Sequence, residues 1–292
     1  MYVVICILLV VFCNFTCMVQ LDGDGRRTVE VRMETVTSSD GTRIAFDRLG
    51  DGPPVVLVCG QSTDRSSNAS LATLLAEHFA VFNYDRRGRG DSGDTLPYAV
   101  EREVEDLRAV FGVAGGSASV FGVSSGASLA LEAAASGLAV DKLALWEPPF
   151  VVGGSPVPPT DLAKRYEEML AEGRQGDVIE YFMADVVGLP PEFVAQARTG
   201  PYWQRQEALA HTLVYDNILL GDGSVPVGRA AAVVAPTLVL AGGESFPFMR
   251  ETARALADAI PDARSRVLEG QTHAVAPEVL APVLGEFFGY RA

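Results

Sequence analysis

The sequence predicts an α/β protein: a mostly parallel sheet covered by helices on both faces, with a helical cap inserted into it. Short, continuous apolar runs alternate with stretches of helical periodicity, the pattern of parallel strands joined by crossover helices. The alternation stops between Pro148 and Pro236, where helical segments follow one another without a clear strand. The 292 residues, 48% hydrophobic and 21% charged, with 29 Gly and 17 Pro, suffice for one large core plus such an insertion. The expected division is a leader or non-native extension over 1–32, a core over 33–147 and 236–292, and a cap over 148–235.

From the N-terminus, residues 2–19 form an uncharged apolar run of bilayer-spanning length. No Lys or Arg precedes it, no small-x-small cleavage site follows it, and Asn14 and Thr16 interrupt it. Two readings stand. A real leader would make the protein membrane-anchored or exported, with Arg26 and Arg27 holding an anchor's following loop in the cytoplasm. A natural start near Met33 would leave a cytoplasmic protein. Cys6, Cys13 and Cys17 all lie in this segment and Cys59 alone follows, so a disulfide framework for the main domain is excluded.

Residues 29–37 and 42–49 alternate apolar and polar around Ser38-Ser39-Asp40-Gly41, a β-hairpin with an Asp-Gly turn. Strands follow at Val55–Cys59, Ala80–Tyr84, Ala118–Phe121, Leu143–Trp146, Thr237–Ala241 and Ser265–Leu268. Helical spacing marks 69–78, 100–112, 125–136, 248–259 and 277–288. The cap should hold about four helices, near 160–172, 176–186, 191–198 and 202–219, divided by Gly and Pro.

Lys and Arg number 23 against 37 Asp and Glu, a formal charge of −14 that repels phosphate backbones, so nucleic acid is not an expected partner. The first 32 residues carry three arginines and three carboxylates, so the whole imbalance belongs to residues 33–292. His78, His211 and His273 lie far apart, with no HExxH or CxxC spacing, and no metal is expected.

Strand 118–121 runs into Gly122-Val123-Ser124-Ser125-Gly126, with a helix immediately after. This is a G-x-S-x-G elbow in its strand-turn-helix setting, which projects the Ser124 oxygen at a helix N-terminus; the Ser125 amide would stabilise an oxyanion beside it. Tyr84-Asp85-Arg86-Arg87-Gly88-Arg89-Gly90-Asp91-Ser92-Gly93 also contains GxGxxG at Gly88, Gly90 and Gly93. No helix opens at Gly93 and Pro97 intervenes, so a dinucleotide-binding reading lacks its context.

Taken together, these segments resemble the α/β-hydrolase superfamily over roughly residues 33–290. The resemblance implies an α/β-hydrolase fold with an inserted cap. The loop after the third strand, Cys59-Gly60-Gln61, stands where the family usually has His-Gly-x, which gives the Gln61 amide the role of second oxyanion donor. The segment 85–92 is similar to the family's D-x-R-G-x-G-x-S loop. Gly270-Gln271-Thr272-His273 falls where the family carries its catalytic His, so His273 would take the Ser124 proton and return it to the leaving group. Two carboxylates compete for the acid: Glu147, closing the sixth strand in Leu145-Trp146-Glu147-Pro148-Pro149, and Glu244, after the seventh. Zearalenone-type lactone hydrolases, which the chain resembles in its Ser-Ser-Gly-Ala elbow and Glu-Pro segment, take the acid from strand six, and so do some haloalkane dehalogenases.

The resemblance implies cofactor-free cleavage of an ester or lactone through an acyl-Ser124 intermediate, acting on a small-molecule substrate, with no metal and an open oligomeric state. A nucleophilic Ser rather than Asp argues against dehalogenase and epoxide-hydrolase chemistry. Cap aromatics including Tyr166, Tyr181 and Phe182 suggest a mostly apolar substrate, with Trp203, His211, Tyr215 and Phe246 as candidate contacts. The alternatives are a C–C bond hydrolase, lyase or acyltransferase on the same triad, or a slow-turnover ligand-binding homologue.

Overall fold

The computed structural model describes residues 31–153, 159 and 161–290. The apolar leader therefore lies outside the described residues, apart from its last two positions. Eight strands form one sheet: β1 (Arg32–Thr37), β2 (Arg43–Leu49), β3 (Pro54–Val58), β4 (Ala80–Tyr84), β5 (Ala118–Val123), β6 (Val140–Trp146), β7 (Thr237–Gly242) and β8 (Ala263–Leu268), in the order β1-β2-β4-β3-β5-β6-β7-β8. The opening hairpin is antiparallel and β2 meets β4 antiparallel; every later pairing is parallel. At the hairpin, Ser38 N–H donates to Thr42 O at 2.8 Å and Gly41 turns the chain at φ +86°.

Five helices flank the sheet: α1 (Ala69–Leu75), α2 (Val100–Val113), α3 (Ser125–Ala135), α10 (Pro247–Ala259) and α11 (Pro277–Phe288). Successive strand side chains serve opposite faces. Val56 and Val58 join a cluster with Leu107, Val110 and Phe111 of α2, Leu129 of α3 and Leu256 of α10. Val55 and Leu57 join a second cluster with Leu71 and Leu75 of α1 and Leu280 and Leu284 of α11. Central strands read as mostly apolar runs because both faces are covered: every residue of β4 and β7 is buried. The edge strands are exposed instead, and β8 displays Arg264 and Arg266 to solvent, which discourages pairing with another sheet.

Between β6 and β7 lie α4 (Leu162–Ala171), α5 (Gln175–Tyr181), α6 (Pro191–Arg198), α7 (Trp203–Leu209), α8 (Thr212–Leu220) and the short α9 (Val227–Ala230), with a π-turn at Phe182–Val186 continuing α5. They enclose a third apolar cluster that includes Leu162, Tyr166, Ile179, Met183, Val194, Trp203 and Leu213. The single helix expected over 202–219 is two. Thr212 Oγ1 donates to Leu209 O at 2.7 Å, taking a carbonyl that a continuous helix would use, and the chain breaks at Ala210 and His211. The turn at Val227–Ala230 is additional to the expected helices, being too short to show a period. Among the described residues no helix is long and apolar enough to cross a membrane.

The strand order has a functional consequence. The chain runs from β3 outward to β4 and then returns to place β5 on the other side of β3. The direction of winding therefore reverses at β3/β5, and the crevice outside the carboxyl ends of these strands is where such sheets bind ligands.

Candidate active site

Ser124 sits at that reversal, between the end of β5 and the first turn of α3, with φ 55° and ψ −125°. A non-glycine residue in this region is strained, and the neighbours show what holds it there. A Cβ on Gly122 would stand 2.5 Å from Gly126 O, and one on Gly126 would stand 2.5 Å from Val58 O, so only glycine lets strand, turn and helix pack this closely. Ser124 N–H donates to Trp146 O at 2.8 Å, and its carbonyl accepts from Ala127 N–H at 2.9 Å to start the helix. Ser124 itself stays half-exposed while Ser125 behind it is buried.

The loop after β3 lies against this turn: a Cβ on Gly60 would be 3.2 Å from Ser124 Cβ. Neither the Gln61 nor the Ser125 backbone N–H meets a protein acceptor among the described residues, so two amides flanking Ser124 remain free to donate. Cys59 is fully buried, and burial pushes its thiol up to about 11, which keeps it protonated and unreactive.

His273 joins from the loop after β8. Its Nδ1 lies 2.6 Å from Glu147 Oε2, and its carbonyl accepts from Trp146 Nε1 at 3.0 Å. Glu147 is fully buried and holds φ 44°, which turns the chain out of β6 with the carboxylate aimed at the β7 end. There Oε1 accepts from Gly242 N–H at 2.7 Å. Both carboxylate oxygens are thus engaged, one by a fixed amide and one by the imidazole. Glu244, the other candidate acid, is exposed; its backbone N–H donates to Gln271 O at 2.9 Å. The structure pairs His273 with Glu147 and links both Ser124 and His273 to Trp146, whose carbonyl takes the Ser124 N–H and whose indole bonds the His273 carbonyl; Gly60, just before Gln61, packs against Ser124, while the Glu244 side chain is exposed.

The candidate substrate contacts in the cap fare differently. Trp203 belongs to the cap's own core, with Nε1 donating to Glu207 Oε1 at 2.8 Å and Arg198 stacked 5.9 Å from its ring. His211 and Tyr215 both turn to Asp94: the Tyr215 hydroxyl donates to Oδ2 at 2.7 Å, and His211 Nε2 stands 3.5 Å from the same oxygen. Phe246 is half-buried at the start of α10, with its ring 6.0 Å from that of Phe248. A cavity of about 200 Å³ lies behind α3, lined by Ser128, Glu132, Phe150, Leu219 and Arg229. It flanks the elbow helix from the rear, and Ser124 is not among its lining residues.

Sequence reasoning missed the buried charges beneath the site. Arg86 donates from Nε and Nη2 to Glu103 at 2.7 Å each, and from Nη1 to Asp216 Oδ1 at 2.8 Å and Ser125 Oγ at 3.1 Å. Arg89 Nη2 donates to Asp216 Oδ2 at 2.8 Å, and its Nη1 reaches the carbonyls of Gly60 and Thr63. Burial opposes the Arg86 charge, but Glu103 and Asp216 outweigh it and hold its pKa well above the ordinary value. Burial likewise opposes the Glu103 charge, and Arg86 overrides it, keeping the carboxyl below its usual range. The available signals were three arginines where the loop motif needs one, and a lone carboxylate, Asp216, inside the apolar run of α8. The cap also grips the loop after β3 directly. Arg205 Nε donates to Asp64 Oδ2 at 2.9 Å, and Gln206 Nε2 to Ser62 O at 3.2 Å. Gly88, Gly90 and Gly93 lie in a loop, and the next helix begins only at Val100, so no helix N-terminus stands ready for a dinucleotide phosphate.

A sequence profile described as the alpha/beta hydrolase family matches residues 55–283. Among solved structures, an alpha/beta hydrolase from Sphaerobacter thermophilus DSM 20745 is 57% identical with a TM-score of 0.82, over 87% of this chain and 100% of that one. An esterase from Thermogutta terrifontis shares the fold with a TM-score of 0.68 at 23% identity, over 87% of this chain and 97% of that one. Among curated proteins, Probable oxidoreductase EphD of Mycobacterium tuberculosis (strain ATCC 25618 / H37Rv) is 40% identical over 82 residues, 26% of this chain. That match spans 14% of the relative's own length.

Proposed function

Because the chain belongs to the alpha/beta hydrolase family, we propose that it is a cofactor-free serine hydrolase that cleaves a carboxylic ester or lactone of a small, mostly apolar molecule. The observation that carries this reading is a serine held at φ 55° on a strand-to-helix elbow, joined through Trp146 to a histidine whose Nδ1 lies 2.6 Å from a buried carboxylate. Glu147 fixes the tautomer in which Nδ1 bears the proton, so Nε2 is the basic nitrogen. His273 takes the Ser124 hydroxyl proton as Oγ attacks the substrate carbonyl. The resulting oxyanion accepts from the Gln61 and Ser125 amides, aided by the positive end of α3. Collapse of the tetrahedral intermediate expels the alcohol, which receives the proton from His273 and leaves Ser124 acylated. Water, deprotonated by the same imidazole, then releases the acid and restores the serine.

The test is fluorophosphonate labelling together with hydrolysis of p-nitrophenyl acetate and butyrate by the protein and its Ser124→Ala variant. Labelling and turnover are expected in the parent and should be lost in the variant, with an unchanged melting transition. Equal turnover in the two proteins would overturn the assignment.

A further inference from the structure

We propose that Arg89, held by Asp216 of the cap helix α8, is a positioning residue that aims the Gln61 amide at the oxyanion; this rests on the serine-hydrolase reading above. The argument starts from the peptide plane. The Gly60 carbonyl and the Gln61 N–H belong to one rigid trans unit and point in opposite directions, so whatever fixes the carbonyl fixes the amide. Gly60 packs closely against the elbow: a Cβ would stand 3.1 Å from Val123 O and 3.2 Å from Ser124 Cβ, tighter than most such contacts. A glycine in a loop also leaves its peptide planes free to rotate, and the restraint has to come from hydrogen bonds. The family's usual histidine is replaced by Cys59, whose Sγ makes only a weak contact to Thr63 O at 3.6 Å.

The Gly60 carbonyl is instead held by Arg89 Nη1 and by Thr63 Oγ1, the latter at 2.9 Å. Asp216 sets the Arg89 guanidinium through Oδ2 and, through Oδ1, sets Arg86, which bonds Ser125 Oγ. One fully buried carboxylate from the cap thereby governs the residues that carry both oxyanion donors. Arg86 and Arg89 occupy variable positions of the D-x-R-G-x-G-x-S loop, so the arrangement belongs to this chain rather than to the motif. It also couples cap seating to oxyanion geometry: displacing α8 would release both arginines at once.

The experiment measures kcat and KM for p-nitrophenyl acetate, and the affinity of an aryl trifluoromethyl ketone, in the parent, Ser124→Ala, Arg89→Met and Arg89→Lys. Removing one oxyanion donor typically costs about 10²–10³ in kcat, and misaiming one should cost less. Arg89→Met is expected to lose about 30-fold in kcat with KM within about twofold, and to bind the ketone more weakly by a matching factor. Arg89→Lys, which keeps the charge beside Asp216 but loses the planar fork, should lose about tenfold. If Arg89→Met fails to melt cooperatively, Arg89→Lys decides alone. Parent-like kcat and ketone affinity in the folded variants would overturn this inference, as would a rise in KM with kcat intact. Absence of Ser124-dependent turnover in the parent would overturn the hydrolase reading, and this inference with it.

Discussion

At the end of β6, Glu147 combines a positive φ, complete burial and a carboxylate bonded on both oxygens. Substituting Gln keeps the shape and one acceptor for Gly242 but presents His273 with an amide that no longer selects its tautomer. Glu147→Gln is therefore expected to lower kcat by about 10³-fold or more, while Glu244→Gln stays within about twofold of the parent. Steady-state hydrolysis of p-nitrophenyl acetate by the two variants checks this, and the reverse ranking would transfer the acid to Glu244. The sequence leaves both glutamates open because they close adjacent strands, and spacing along the chain does not say which strand end reaches the histidine loop. Ser124 stands in an elbow whose local pattern is its own signature, whereas His273 has none and is picked out only by its place in the order of the family the chain resembles. The φ of Glu147 could not, because nothing in the residue type announces a left-handed backbone.

Elements buried on two faces could be read almost to the residue. Strands β3, β4, β5 and β7 and helices α2, α3, α10 and α11 appear within two residues of where apolar runs and helical spacing place them, because a doubly covered sheet is mostly apolar; β6 starts three residues early, at Val140, since Asp141 and Lys142 at its less buried start interrupt the run. The cap was less legible. Its helices are short, they pack on one another, and a threonine side chain splits α7 from α8 where periodicity alone continues. The junction of β5 and α3 makes the sharpest demand on sequence. Gly126→Ala would drive a methyl group into the backbone carbonyls of Val58 and Cys59, which cannot swing aside as a flexible side chain could. The expected cost is about 3 kcal/mol of stability. Urea unfolding measures it, and a variant as stable as the parent would show that the elbow packs more loosely than its geometry implies.

Across the whole molecule, the loop after β4 ties sheet and cap together through buried charge. Glu103 of α2 and Asp216 of α8 enclose Arg86 from the two layers. Removing the Glu103 charge leaves two buried guanidiniums, Arg86 and Arg89, sharing the single carboxylate of Asp216, and Glu103→Gln should lower stability by about 3 kcal/mol at pH 7. The pH dependence has a definite sign. Arg86 holds the Glu103 carboxyl below its ordinary 4.5, so its contribution is complete above that pH and is lost as pH falls through the depressed value. The stability gap between parent and Glu103→Gln should accordingly be constant from pH 7 to about 5 and close at lower pH, measured by urea titration at each. No local pattern could reveal this network, because its members come from segments up to 130 residues apart. The same separation bears on how the chain is made. Arg86 and Arg89 leave the ribosome long before Asp216 exists, and until α8 docks they have no complete set of counter-charges. The loop after β4 therefore lacks its full native set of ion pairs until α8 emerges. Nascent chains arrested short of residue 216 should therefore be cut readily by protease at the β4 loop, and chains arrested after α8 has cleared the exit tunnel should resist.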